Sequence, residues 1–300
     1  MNVTCYKPVL TTRGFSRPPS EHGVLDTVTL GHPPAESLPP GGLKLDTTND
    51  WRHDGQFVVR GGQTVPAGAA LSSLPFFRPD DGTPVRGTLV MLNGMMTDLA
   101  MQAQDLQDLA NQGYQVIGIH NATKGMVMDT AQILGDKLAM TDSSNKAIDT
   151  AAELLQQFVG SGLPLHLVGH SQGALILSRA VGLVKEKLKS EGLSEEEAAA
   201  RLSKLSISTL GGSAATYPEG PHYTHYHNRF DLFSNLAGRA LVAKVSGGMA
   251  NEKFRSFNEL NAPHDLPSWS EGASNKLARL ADRMFHGARD VYIPRFSLEA

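Results

Sequence analysis

The chain has 300 residues, 40% of them hydrophobic, ample for one large domain with a buried core. A formal net charge of −3, from 27 basic and 30 acidic residues, gives no electrostatic footprint for a nucleic-acid partner. The single cysteine, Cys5, excludes an intramolecular disulfide framework and a cysteine-rich metal site.

Residues 1–50 hold seven of the 17 prolines, with the pairs Pro18-Pro19, Pro33-Pro34 and Pro39-Pro40 and no sustained period of 2 or 3.6. Proline removes backbone donors, and the segment carries too little apolar surface to offset ordering entropy. The expectation is an extended, poorly ordered arm at 1–50, either without a role or serving as an address or partner-binding segment, followed by one domain over 51–300. Met1 to Lys7 lack the apolar stretch of a secretory signal, and no apolar run approaches the ~20 residues that span a bilayer. That places the protein in the cytoplasm by default, with export by a signal-independent route as the alternative; contact with a membrane surface stays open, as does oligomeric state. Deleting residues 1–45 should leave the melting temperature and any activity nearly unchanged, because the arm has no patterned apolar face. A large fall on thermal denaturation would show that it packs on the domain.

From Trp51 the pattern turns globular. Gln56 to Arg60 and Leu74 to Arg78 read as short strands, the second followed by the turn-forming Pro79-Asp80-Asp81-Gly82. Thr88 to Leu92 is a continuous apolar run ending at Asn93-Gly94, the pattern of a buried parallel strand. A helix beginning at Leu99 ends at Gly113, and a strand follows over Gln115 to Ile119. Asn145 to Val159 form another helix, with Ile148, Ala151, Ala152, Leu154, Leu155 and Phe158 on one face. Leu165 to Val168 is the next strand, then Gly169-His170-Ser171-Gln172-Gly173, then a helix from Ala174 to Val181. Later strands are expected over Leu205 to Leu210, Tyr223 to Asn228 and around Phe254 to Phe257, with a terminal helix from Lys276 to Phe285. Alternation of this kind means right-handed crossovers and a mostly parallel central sheet flanked by helices, an α/β fold.

Strand, G-x-S-x-G, helix is the order a nucleophile elbow requires. The serine takes a sharp strained turn, and the glycines on either side let the strand and helix backbones approach. The pentapeptide also fits an ordinary glycine-rich turn. With its flanking elements, the stretch from about Gly87 to Arg289 resembles the α/β-hydrolase superfamily in its lipase and esterase-like serine hydrolase form. The resemblance implies a nucleophile at Ser171, then an acid, then a histidine, in that chain order. Asp231 follows the Tyr223–Asn228 strand and is the implied acid; its bland alternative is a helix N-cap before Leu232-Phe233, and Glu219 is an earlier rival. Only His264 and His286 lie beyond Asp231. His264, in the loop Asn261 to Pro267, is the implied base, whereas His286 near a helix end suits an interaction with the helix dipole. The backbone N–H groups of Met95 and Gln172 are the implied oxyanion donors, although Asn93-Gly94-Met95-Met96 departs from the His-Gly-Gly-Gly form of some esterases.

Three further features compete for a role. His222, His225 and His227 with Asp231 could be drawn as a zinc site, but exposed strand histidines explain them more simply and no His-Glu-x-x-His spacing is present. Ser194 and Glu197 form a capping box that opens a helix through Leu202, so 186–205 is a candidate cap insertion over the site or a plain surface helix. Gly125-Met126-Val127-Met128 follows a strand and could line an acyl pocket or pack in the core. The expected chemistry is hydrolysis of a carboxylic ester, small or lipid-type, or of a thioester, with no metal or organic cofactor. The alternative is a hydrolase-fold binding or effector protein without activity.

Overall fold

The computed structural model describes residues 51–95, 97–122, 145–161, 165–231, 234, 251–257 and 287–297. Its centre is β3 (Thr88–Leu92), flanked by β4 (Gln115–Ile119) on one side and β5 (Leu165–His170) on the other. Every residue of β3 and β4 is buried, which is why these strands read as unbroken apolar runs: a parallel strand covered on both faces has no polar side. Beyond β5 the sheet continues in parallel through β6 (Leu205–Leu210), β7 (His222–Asn228) and β8 (Glu252–Phe257). Beyond β4 lies the antiparallel pair β1 (Phe57–Val59) and β2 (Gln63–Val65), giving the order β2-β1-β4-β3-β5-β6-β7-β8. The expected strand at Leu74–Arg78 is corrected to a single antiparallel bridge between Phe77 and Val116, because β1 already occupies that edge of β4 over Gly118 and Ile119.

Alternation along the central strands splits the core in two. Val90, Leu92, Ile117, Ile119 and Leu167 face α2 (Lys146–Ser161) and α3 (Gln172–Ser190); Leu89, Met91, Val116 and Val168 face α1 (Leu99–Asn111) and the C-terminal segment. That segment is a short helical stretch, Ala288–Tyr292, whose Val291 and Tyr292 are fully buried. It is tied to α1 by Arg289 Nε on Asp108 Oδ2 at 2.5 Å, and the residues that follow the two elements meet as well, Gln112 Nε2 donating to the Ile293 carbonyl at 2.5 Å. Helix α1 is capped by Asp98, whose Oδ1 accepts the Met101 N–H at 2.8 Å.

Helix α4 (Glu195–Leu202) opens on the expected capping box, Ser194 with Glu197. It does not cover Ser171. Helix α3 starts at the C-terminal edge of the sheet and its 19 residues carry the chain about 28 Å away. Residues 186–190 are the end of α3, and α4 packs there through buried Ala198 and Leu202, clamped by Lys185 Nζ on Glu195 Oε1 at 2.5 Å. Helix α4 therefore sits toward the sheet edge where β6 begins, opposite the one where the strands end.

Candidate active site

Between β3 and β5 the chain changes direction across the sheet: β4 was laid on one side of β3, and β5 is laid on the other. A crevice opens at the C-terminal ends of strands at such a switch point. Asn93-Gly94 ends β3 there, and Ser171 ends β5. Ser171 has φ 50° and ψ −116°, the one non-glycine residue with positive φ among the described residues. A serine in that region carries on the order of 1–3 kcal/mol of backbone strain, held only because its surroundings over-determine it. Those surroundings are visible. The Ser171 N–H donates to the Leu210 carbonyl at 3.0 Å, and its carbonyl accepts the Ala174 N–H at 3.1 Å and the Ser213 N–H at 3.2 Å.

The flanking glycines are there for contact. A Cβ on Gly169 would lie 2.7 Å from the Ala174 backbone, and one on Gly173 would collide with the Leu92 carbonyl and sit 2.9 Å from the Asn93 carbonyl oxygen. Neither neighbour is a flexible side chain. Gly173→Ala should therefore lower stability by about 3 kcal/mol in a denaturant titration. Gly182→Ala, on the same helix with 3.8 Å to its nearest neighbour Pro218, should instead be neutral or stabilising by about 0.5–1 kcal/mol.

Gly94 brings the loop after β3 onto the nucleophile: a Cβ there would lie 2.8 Å from Ser171 Cβ and 2.9 Å from His170 Nδ1. Asn93, fully buried, holds this loop. Its Nδ2 donates to the Gly94 and Asn121 carbonyls, each at 2.9 Å, and its Oδ1 accepts the Asn121 N–H at 2.8 Å. Asn121 Nδ2 in turn donates to Gln172 Oε1 at 2.7 Å. Met95 follows Gly94, and Gln172 is the first residue of α3, where an N–H has no partner within its own helix. The structure thus brings Ser171, Gln172 and the Gly94-Met95 turn together. Behind this loop His120 is held down to about 4, by burial first and then by His53, so its ring is neutral; its Nδ1 meets Gln102 Oε1 at 2.7 Å.

Asp231 lies just past β7, two strands from β5 along the same edge, a span of about 10 Å at ordinary strand spacing. It is fully buried. Its Oδ1 accepts the Ser234 N–H at 3.1 Å, the contact of a helix N-cap, and its Oδ2 accepts the Tyr292 hydroxyl at 2.5 Å. Both carboxylate oxygens are thus engaged, each by a different residue. Sequence reasoning missed Tyr292, Asn121 and Ser213, none of which carries a motif. His264, His286, Met96, the 276–285 helix and the 125–128 methionines lie outside the described residues.

The β7 histidines are corrected in one respect: His225 and His227 are buried rather than exposed. His225 Nδ1 meets Thr209 Oγ1 at 2.8 Å and Nε2 meets the buried Glu252 at 3.3 Å, with its ring stacked on Tyr223. His227 Nδ1 is 3.4 Å from Ser234 Oγ. Among the described residues, no three His, Cys, Asp or Glu side chains are grouped to hold a metal ion, and no helix is long and apolar enough to cross a membrane.

No protein-family model matches the sequence, and no curated protein matches it. Among solved structures the chain is similar to an esterase of Pyrobaculum calidifontis, with 10% identity, TM-score 0.38 and 61% of this chain against 70% of that one. Esterase B of Lactobacillus rhamnosis gives 14%, 0.36, 63% and 71%; a dienelactone hydrolase of Anabaena variabilis gives 11%, 0.33, 68% and 85%. At these scores the likenesses carry no argument, and the assignment stands on the strand order and the strained turn at Ser171. The chain has the α/β-hydrolase fold. Because β3, β5, β7 and β8 run parallel, their C-terminal ends share one edge; His264 follows Phe257 by seven positions in the sequence.

Proposed function

We propose that the protein is a serine hydrolase that cleaves carboxylic esters, lipid-type or small, or thioesters, through an acyl-enzyme. The observation that carries this reading is Ser171 itself: a non-glycine residue held at φ 50° on a strand-to-helix turn, against the Gly94 backbone, at the sheet's switch point. Strain of this kind persists where a side chain must be presented.

In this mechanism His264 takes the hydroxyl proton as Ser171 Oγ bonds to the acyl carbon. Negative charge collects on the carbonyl oxygen, and the N–H groups of Gln172 and Met95 receive it. Such donors are each worth on the order of 3 kcal/mol in a water-poor site. The tetrahedral adduct collapses, the bond to the leaving alcohol or thiol breaks, and His264 returns the proton to it. Water then repeats the sequence on the acyl-enzyme, with His264 again as base. Asp231 accepts the imidazole N–H, fixing the tautomer and stabilising the imidazolium. The cycle balances without a metal or an organic cofactor.

A panel of p-nitrophenyl acyl esters of graded chain length, assayed with and without a lipid interface, tests this. Turnover that rises steeply at long chains on the interface defines a lipase-type substrate; preference for short soluble chains defines an esterase. Folded protein that turns over none of them supports the inactive binding or effector reading instead.

A further inference from the structure

We infer that Tyr292 is a positioning residue that fixes the Asp231 carboxylate for the histidine of the triad. The inference rests on the proposed reading of Asp231 as the acid. Tyr292 comes from the C-terminal segment, 61 residues beyond Asp231, and no strand of the sheet presents it. Its hydroxyl donates to Asp231 Oδ2 at 2.5 Å and accepts the Asn228 N–H at 3.3 Å. Burial, and then the charge of Asp231, push the phenol well above its ordinary range, so the hydroxyl keeps its proton and remains the donor.

The ring has little freedom. A Cβ on Gly211, which itself sits at φ +56°, would be 2.7 Å from the tyrosine ring, so glycine is what admits it. Phe257 stands edge-on at 5.5 Å between ring centroids, and the His170 ring lies at 6.2 Å. His170 directly precedes Ser171. One side chain therefore touches the residue before the nucleophile and holds the implied acid.

The two oxygens of Asp231 accept from different elements, Oδ1 from Ser234 and Oδ2 from Tyr292. Two donors on opposite oxygens stop rotation about the Cβ–Cγ bond. A carboxylate can accept about four hydrogen bonds, so holding it by these two donors is compatible with its accepting an imidazole N–H. A buried phenol needs some partner, and any free carbonyl would serve a purely structural role. Here it has instead taken a fully buried carboxylate, and its proton sets both the direction and the charge density of Oδ2.

Tyr292→Phe keeps the ring and removes only the donor. Using a short-chain p-nitrophenyl ester and the rate of fluorophosphonate labelling, kcat should fall about 10–100-fold with KM within about twofold. The acid limb of the pH profile should move to higher pH, because a less neutralised carboxylate holds the imidazolium more strongly. Incorporating 3-fluorotyrosine at 292, a stronger donor of nearly the same size, should move it the other way. In an Asp231→Asn background the loss from Tyr292→Phe should largely vanish, since the two residues act as a unit. Unchanged kcat and acid limb in Tyr292→Phe would overturn the inference, as would a loss that persists in full beside Asp231→Asn. Wild-type protein that neither cleaves the ester nor labels at Ser171 would overturn the triad reading beneath it, a result distinct from both.

Discussion

Ser171→Ala is expected to lower kcat by about 10⁴-fold or more while leaving the fold in place. On the proposed mechanism the serine supplies the atom that bonds to the acyl carbon, and alanine has none to put in its place. The N–H groups of Gln172 and Met95 would still polarise a bound carbonyl, which accounts for any residual turnover. Stability tells a separate story. Alanine keeps a Cβ at φ 50°, so the backbone strain remains; Ser171→Gly relieves it and should raise stability by about 1 kcal/mol while being equally inactive. A variant that loses function and gains stability identifies strain retained for chemistry. Calorimetry beside ester hydrolysis reads both.

The second large effect separates the two candidate histidines. His264→Ala should abolish turnover and fast probe labelling alike, because the Ser171 hydroxyl would lack the group that takes its proton. His286→Ala should leave the chemistry near normal and alter stability modestly through a lost helix-end interaction. In wild-type protein, activity should rise with pH as the imidazole loses its proton, since only the neutral ring accepts the hydroxyl proton. Asp231→Asn should follow His264→Ala in kind and less in degree, by favouring the wrong tautomer. Active His264→Ala beside dead His286→Ala would reassign the base and leave the turn at Ser171 as it stands.

The sheet was legible where strands are buried on both faces. β3 and β4 have the same ends in the sequence pattern and in the structure, because beyond Thr88 and Gln115, the first residue of each, neither run has a polar member to face a surface. β2 was not legible: exposed Gln63 and half-buried Thr64 and Val65 carry no period of either kind. Leu74–Arg78 reads as a strand, but β1 pairs with β4 at Gly118 and Ile119 and leaves it only the bridge from Phe77 to Val116. The β7 histidines read as surface residues because a single sequence cannot show that Thr209 and Glu252 will meet His225 from the neighbouring strands.

In the candidate site, Ser171 announced itself through local geometry, since an elbow needs its glycines within two residues. The expectation at Asp231 rests on chain order alone. The side chains that hold Asp231 and the Asn93-Gly94 loop were not legible at all. Tyr292 reaches Asp231 from 61 positions away and Asn121 reaches Gln172 from 51, contacts that exist only once the strands are ordered.

The central claim is that Ser171 is the nucleophile, and a covalent adduct reads it most directly. Wild-type protein treated with a fluorophosphonate, digested and sequenced by mass spectrometry should carry one phosphonyl group on the peptide containing Gly169 to Gly173, at Ser171. Ser171→Ala should carry none. Folded wild-type protein that stays unlabelled, or an adduct at another serine that persists in Ser171→Ala, would contradict it.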